Sequence, residues 1–250
     1  MPEAEQRVLS GDRGPFQFTT THWSLVLAAR DSQTPGASEA LEQLCRTYWQ
    51  PVYAFIRRTV FNPEDARDLT QGFFADLLRD RSFARANPEQ GRFRSFLLGA
   101  LKHFLADERD RRRAAKRGGG VATISLDAAQ EETRYRLEPM DHLTPERAYE
   151  KRWALLLLDR VVEGLHEAYR EAGKEALFIA LKSTLTQSRS DIAYPELAKK
   201  LDLTEGALRV AVHRLRQRYR ELLRREVAQT VADAAEVETE LRYLFRVLSE

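Results

Sequence analysis

The stretch from Gly91 to Arg117, GRFRSFLLGALKHFLADERDRRRAAKR, constrains the fold of this chain most. Phe93, Phe96, Leu97, Ala100, Leu101, Phe104 and Leu105 recur at three- and four-residue steps, so an α-helix gathers them on one face. The last third changes character: Arg109, Arg111, Arg112, Arg113, Lys116 and Arg117 are opposed only by Asp110. A helix anchored by aromatic residues and ending in guanidinium groups suits a phosphate backbone. The same residues also suit a core helix with a solvated basic end. Lys102, His103 and Asp107 lie off the apolar stripe, where a ligand would be met.

Charge elsewhere is segregated rather than accumulated. The net charge of the 250 residues is only +2, but basic residues cluster at 109–117 and 209–225 while 127–146 is acidic. Most Lys+Arg positions are Arg, which favours bidentate phosphate and guanine contacts. A hydrophobic content of 43% is enough for a core, and 31% charged residues predict many solvated helix faces. The length suits one large or two small domains. Cys45 is the sole cysteine, which excludes an intramolecular disulfide and a thiol-based zinc site. Between Leu44 and Tyr48 it reads as buried filler. The polar N-terminus has no apolar leader core, and apolar runs such as Ala154–Leu158 are short. No membrane span is expected, and the expected location is the cytoplasm. The five His are scattered without metal-ligand spacing, and Gly118-Gly119-Gly120 follows a helix rather than preceding one. No catalytic site, metal or cofactor is therefore expected.

Helix signals punctuate the chain. Residues 1–18 read as a polar tail. Thr20 or Thr21 can cap a short helix from Trp23 to Arg30. A helix is expected from Ala37 to Trp49, with Pro51 opening the next segment. Asn62-Pro63-Glu64-Asp65 combines a cap, a first-turn proline and two acids. The helix it starts buries Ala66, Leu69, Phe73, Leu77 and Leu78 and leaves Asp65, Asp68, Gln71 and Asp76 as an acidic ridge. Gly72 inside it costs about 1 kcal/mol relative to Ala, which suggests close approach of a partner or simple tolerance. Thr144-Pro145-Glu146 starts another helix, which Gly173 stops; a further one runs from Lys174 to about Leu185.

Near the C-terminus, YPELAKKLDLTEGALRVAVHRLRQRYRELLRRE places a short helix (Pro195–Leu201), a tight turn at Asp202-Leu203 and a longer helix capped by Thr204. Ala198, Leu201, Leu203 and Leu208 fall where a helix-turn-helix packs its two helices. Asp202 takes the turn position usually held by Gly. An ordinary helical hairpin with a charged outer face is the plainer alternative. Asp233 to Leu248 predicts one more amphipathic helix.

In this order these segments resemble the bacterial RNA polymerase sigma factors of the sigma-70 family, extracytoplasmic-function (ECF) class, over roughly Glu39–Arg117 and Ala148–Arg225. DARDLTQGFFADLL resembles the clamp-docking helix of region 2, usually DAEDLVQEVF. FRSFLLGALKHFLADERDRRR is similar to the segment that opens the −10 element, with Phe96 where Trp is common and His103 where Asn is common. The helix-turn-helix resembles the region 4 reader of the −35 element. Arg67 and Gly72 depart from the pattern by replacing acids.

The resemblance implies an all-α chain of two small helical domains: a tail (1–18), a region 2-like domain (19–117), a flexible linker (118–144), a region 4-like domain (145–226) and a C-terminal helical extension (227–250). It implies core RNA polymerase and promoter DNA as partners. Asp65, Asp68, Leu69, Gln71, Phe73 and Asp76 would meet polymerase. Lys102, His103, Arg109, Arg111, Arg112 and Arg113 would track the −10 phosphates, with an extruded base in the Arg79–Gln90 loop. Thr204, Glu205, Arg209, His213, Arg214, Arg216 and Arg218 would serve the −35 element. Control is open between an anti-sigma factor, a serine/threonine kinase acting on Thr70 and the C-terminal helix folding back over a DNA-binding face. A phosphate on Thr70 would add about −1.5 to −2 charges beside Asp68. Two other readings compete: a polymerase-independent helix-turn-helix regulator, and an interaction or adaptor protein without specific DNA binding.

Overall fold

The computed structural model describes residues 23–30, 36–60, 62–79, 85–115 and 143–249. The expected tail, the Thr20 or Thr21 cap, Lys116, Arg117 and nearly all of the expected linker lie outside the described residues. Among the described residues the chain is all-α, with nine α-helices and no strand. None of these helices is long and apolar enough to cross a membrane.

The N-terminal helices are α1 (Trp23–Arg30), α2 (Ala37–Thr59), α3 (Pro63–Arg79) and α4 (Phe93–Ala115). Helix α2 differs from expectation, because it runs unbroken through Pro51. An internal proline costs about 3 kcal/mol, but Val52, Tyr53, Phe55 and Ile56 just beyond it are all buried, and each contributes about 1.5–3 kcal/mol. Helix α3 starts where the sequence signals it, with the Glu64 amide donating to Asn62 Oδ1 at 2.9 Å. A single 3-10 turn, Pro88–Gln90, capped by Asn87, leads into α4.

The C-terminal helices are α5 (Pro145–Glu171), α6 (Glu175–Leu181), α7 (Tyr194–Lys200), α8 (Glu205–Ala228) and α9 (Val237–Ser249). Thr144 caps α5 and Gly173, at φ +67°, follows its end. Helix α6 is shorter than expected, because residues Lys182–Leu185 tighten into a 3-10 turn. Helix α9 starts later than expected, after a 3-10 turn at Ala234–Glu236 that Asp233 caps.

Two hydrophobic cores hold these helices. The main one joins α1 to α4 with Tyr149, Trp153, Leu157 and Val161 of α5, Leu223 and Val227 of α8, and Leu241, Leu244 and Val247 of α9. The second gathers Leu165, Phe178, Leu181, Tyr194, Ala198, Leu208, Val212 and Leu215. Helices α5 and α8 thus belong to both and run antiparallel: the start of α5 meets the end of α8 in the main core, and the reverse holds in the second. At 27 residues α5 is about 40 Å long, enough to carry α7 and the start of α8 beyond the main bundle. The division between cores therefore falls inside α5 and α8, although 145–226 reads in sequence as a separate unit. Polar ties reinforce the join of α2 to α5. Arg152 donates twice to Gln50 Oε1, at 3.0 and 2.6 Å. Arg160 Nη2 donates to Thr47 Oγ1 at 2.8 Å.

Candidate nucleic-acid interface

The α7–turn–α8 unit is built by local chemistry. After α7 the chain turns through Asp202 at φ 52°, the one non-glycine residue of positive φ among the described residues. The Leu203 amide donates back to the Ala198 carbonyl at 3.0 Å and closes the turn. Thr204 Oγ1 then accepts from the Ala207 amide at 3.2 Å, which starts α8. Small Ala198 lets α7 approach α8, and Leu208, Val212 and Leu215 of α8 are buried with it in the second core.

Of the residues expected to read duplex DNA, Thr204, Glu205, Arg209, His213, Arg214 and Arg218 are exposed on or just before α8. Arg209 is pre-positioned: its guanidinium lies 4.3 Å from the Tyr194 ring centroid and 3.6 Å from the Glu205 carboxylate. Arg216 has a different role from the expected phosphate contact. Its Nε and Nη2 donate to the Thr184 carbonyl at 3.0 and 2.6 Å, and Nη2 also donates to the Gln187 carbonyl at 2.6 Å. It staples α8 to the turn after α6. A hollow of about 240 Å³ lies beside it, lined by Tyr194, Arg209, Val212, His213, Arg216 and Arg220. Arg220 and Tyr194 were not among the expected site residues. Arg220 follows Arg216 by one helical turn, which is the signal that could have placed it.

The second cationic surface is α4, where Lys102, His103, Arg109, Arg111, Arg112 and Arg113 are all exposed. Several have carboxylate neighbours. Lys102 Nζ lies 2.8 Å from Glu146 Oε1, and this hydrogen bond is the main cause that holds the Glu146 carboxyl below its ordinary pKa. Arg112 and Arg111 lie 3.2 and 3.5 Å from Glu108, and Arg113 lies 3.7 Å from Asp110. Such exposed pairs are weak and exchange readily for phosphate. Between α3 and α4 is an open groove of about 530 Å³. Phe96 and Phe104 give it aromatic surface over the buried Phe73, and Asp76, Arg85 and His103 give it a polar rim. Residues 80–84 of the expected base-holding loop lie outside the described residues.

On α3, Asp68 and Gln71 are exposed and Asp65 and Asp76 half-buried, with Asp76 paired to Arg79. Leu69 and Phe73 are buried in the main core, so they cannot contact a partner directly. Leu78, expected on the buried stripe, is instead 42% exposed near the end of α3 and is the apolar residue left on the ridge. Thr70 is fully buried, and its hydroxyl donates to the Ala66 carbonyl at 2.7 Å. This corrects the expectation of a phosphosite, since a kinase cannot reach a hydroxyl enclosed in the core.

The structure also reveals a polar cluster that sequence reasoning missed, around Arg94 at the start of α4. Arg94 is 3% exposed, and Glu240 of α9 is fully buried against it. Burial works against the Arg94 charge, but Glu150 and Glu240 outweigh it and raise the guanidinium pKa further. Among the described residues no group of three or more His, Cys, Asp or Glu could hold a metal ion.

Comparison with protein-family models, with curated proteins and with solved structures gives no match for this chain.

Proposed function

We propose that the chain is a sigma factor of the ECF class, which joins core RNA polymerase in the cytoplasm and directs transcription initiation at chosen promoters. In this reading residues 19–117 dock on polymerase and engage the −10 element, 118–144 form the tether, 145–226 read the −35 element, and 227–250 add a helix. One observation carries the reading. The turn at Asp202, the Thr204 cap and the burial of Ala198 and Leu208 in one core present a cationic helix whose outer face is open.

The chemistry follows from the residues. Helix α8 can enter a major groove, where Arg209, His213 and Arg214 near its start reach base edges and Arg218 reaches phosphate. The groove beside α4 offers Phe96 and Phe104 as stacking surfaces for an unstacked base, and the Arg109–Arg113 run neutralises the strand that carries it. Two such modules in one chain gain affinity through effective concentration. No catalytic role belongs to the reading.

Co-purification with core polymerase followed by run-off transcription tests it. Expected is stable association and transcripts that depend on both proteins. Association without promoter-directed transcripts, or none at all, refutes it. Burial of Leu69 and Phe73 favours one second reading, a helix-turn-helix regulator that acts without polymerase. That protein binds duplex DNA tightly by itself, whereas a sigma factor binds promoter DNA weakly until polymerase is present.

A further inference from the structure

Three helices from distant parts of the chain converge on Arg94. Its Nη1 donates to Glu240 Oε1 of α9, and its Nε donates to Glu150 Oε2 of α5 at 3.0 Å. Its guanidinium carbon lies 4.2 Å from the Trp153 ring centroid and 5.0 Å from that of Tyr243. The Tyr149 hydroxyl donates to the Arg94 carbonyl at 3.1 Å. Arg92 adds a second cation, with Nε 2.5 Å from Glu240 Oε2, although this contact is not aligned as a hydrogen bond. Two guanidinium groups thus face two carboxylates. The cluster is neutral only while α9 is seated, because α9 supplies Glu240.

Such a cluster does not add stability merely by being ionic, since desolvation offsets most of the attraction. Its value is registry: it fits one arrangement and strongly penalises any in which one partner leaves. The arrangement it selects is the join between α4, which carries the cationic run and the groove, and the α5–α8 pair, which carries the helix-turn-helix. Helix α9 also pairs Glu238 with Arg224 of α8. It leaves His213, Arg214 and Arg218 exposed, so it does not cover the α8 reading face.

We propose that α9 is an intramolecular latch whose Glu240 holds α4 against α5, adds to the α2–α5 packing that keeps the two DNA-reading arms in one closed body, and must be released before they part. The functional half of this inference rests on the sigma-factor reading, in which the two arms reach separate promoter elements; the structural half does not.

Electron–electron distance measurement on the full chain tests it. Spin labels are placed at the exposed positions Ala75→Cys and Lys182→Cys in a Cys45→Ser background. The parent chain is expected to show one narrow distance. In Glu240→Gln, which keeps the shape and removes the charge, and in a chain ended at Thr230, longer and broader distances appear. The open-to-closed ratio rises on the order of 10²-fold. Circular dichroism checks that helix content survives; if the shortened chain unfolds, Glu240→Gln alone decides. A single narrow parental distance in every folded variant overturns the latch. With core polymerase, Glu240→Gln is expected to raise run-off transcription several-fold, and wider distances without that rise overturn the control role. If no form of the chain binds polymerase, the sigma-factor reading fails, while the distances still decide the latch.

Discussion

The ring of Phe104 on α4 lies over Gly72 of α3, so close that a Cβ at Gly72 would stand 3.3 Å from Phe104 Cζ. The residue that approaches Gly72 thus belongs to this chain rather than to a partner. Phe104 also borders the open groove and is only half-buried, so its ring has space to shift by a few tenths of an ångström. Gly72→Ala is expected to stabilise the protein by about 0.5–1 kcal/mol through helix propensity. A urea titration reads this as a higher midpoint at unchanged slope. A lower midpoint would mean that Phe104 is fixed and the contact is too tight to relax.

Two arginines two residues apart on α8 should respond in opposite ways. Arg216 makes charge-assisted bonds to two carbonyls, so Arg216→Ala should cost about 1.5–3 kcal/mol of stability in the second core. Arg218 is exposed, and Arg218→Ala should leave stability within about 0.5 kcal/mol. Its loss should instead weaken DNA binding for all sequences alike and reduce the salt slope by about 1. Thermal melts and binding titrations at several salt concentrations separate the two. Equal melting temperatures for both variants would remove the stapling role of Arg216.

The contrast between these arginines marks what a sequence can carry. Caps and turns are local, so Asn62, Thr144, Asp202 and Thr204 announce themselves through their immediate neighbours. Apolar periodicity likewise separates the buried face of α8 from the exposed one. It does not reveal that Arg216 bends towards carbonyls some 30 positions earlier in the chain. Nor does it couple Arg94 to Glu240, which are 146 positions apart and each look like ordinary helix-surface residues. Pro51 misleads for the same reason: its local penalty is legible, while the long-range burial that offsets it is not. The shared cores of α5 and α8 are a property of how helices stack, and each helix alone reads as part of one unit.

On α3, the residues Asp68, Gln71, Ala75 and Leu78 follow helical spacing along one exposed face. If this face meets polymerase, Leu78 is its apolar anchor in place of the buried Leu69 and Phe73. Leu78→Ala should weaken core binding by about 1–2 kcal/mol with little effect on folding. Asp68→Lys should act mainly on the association rate, and its effect should shrink as salt rises. Fluorescence titration against core polymerase measures both. Wild-type affinity in the double variant would exclude α3 from the docking surface.

Cys45 on α2 offers a test of burial that needs no partner. Burial raises its thiol pKa to about 11, opposed by its own backbone hydrogen bond and assisted by the Glu42 charge. The unfolded thiol titrates near about 8.5, so between the two values the folded chain keeps a proton that the unfolded chain releases. The contribution to stability is fully present below about pH 8.5 and is lost as pH rises towards the folded value. Reactivity follows the thiolate fraction, which at pH 8 is about 10²-fold smaller in the folded chain. Alkylation by iodoacetamide should therefore be slow in native buffer, accelerate about tenfold per pH unit up to the folded value, and become fast in urea at pH 8. A native rate at pH 8 within a few-fold of the rate in urea would show that Cys45 is solvated and that α2 does not pack as described.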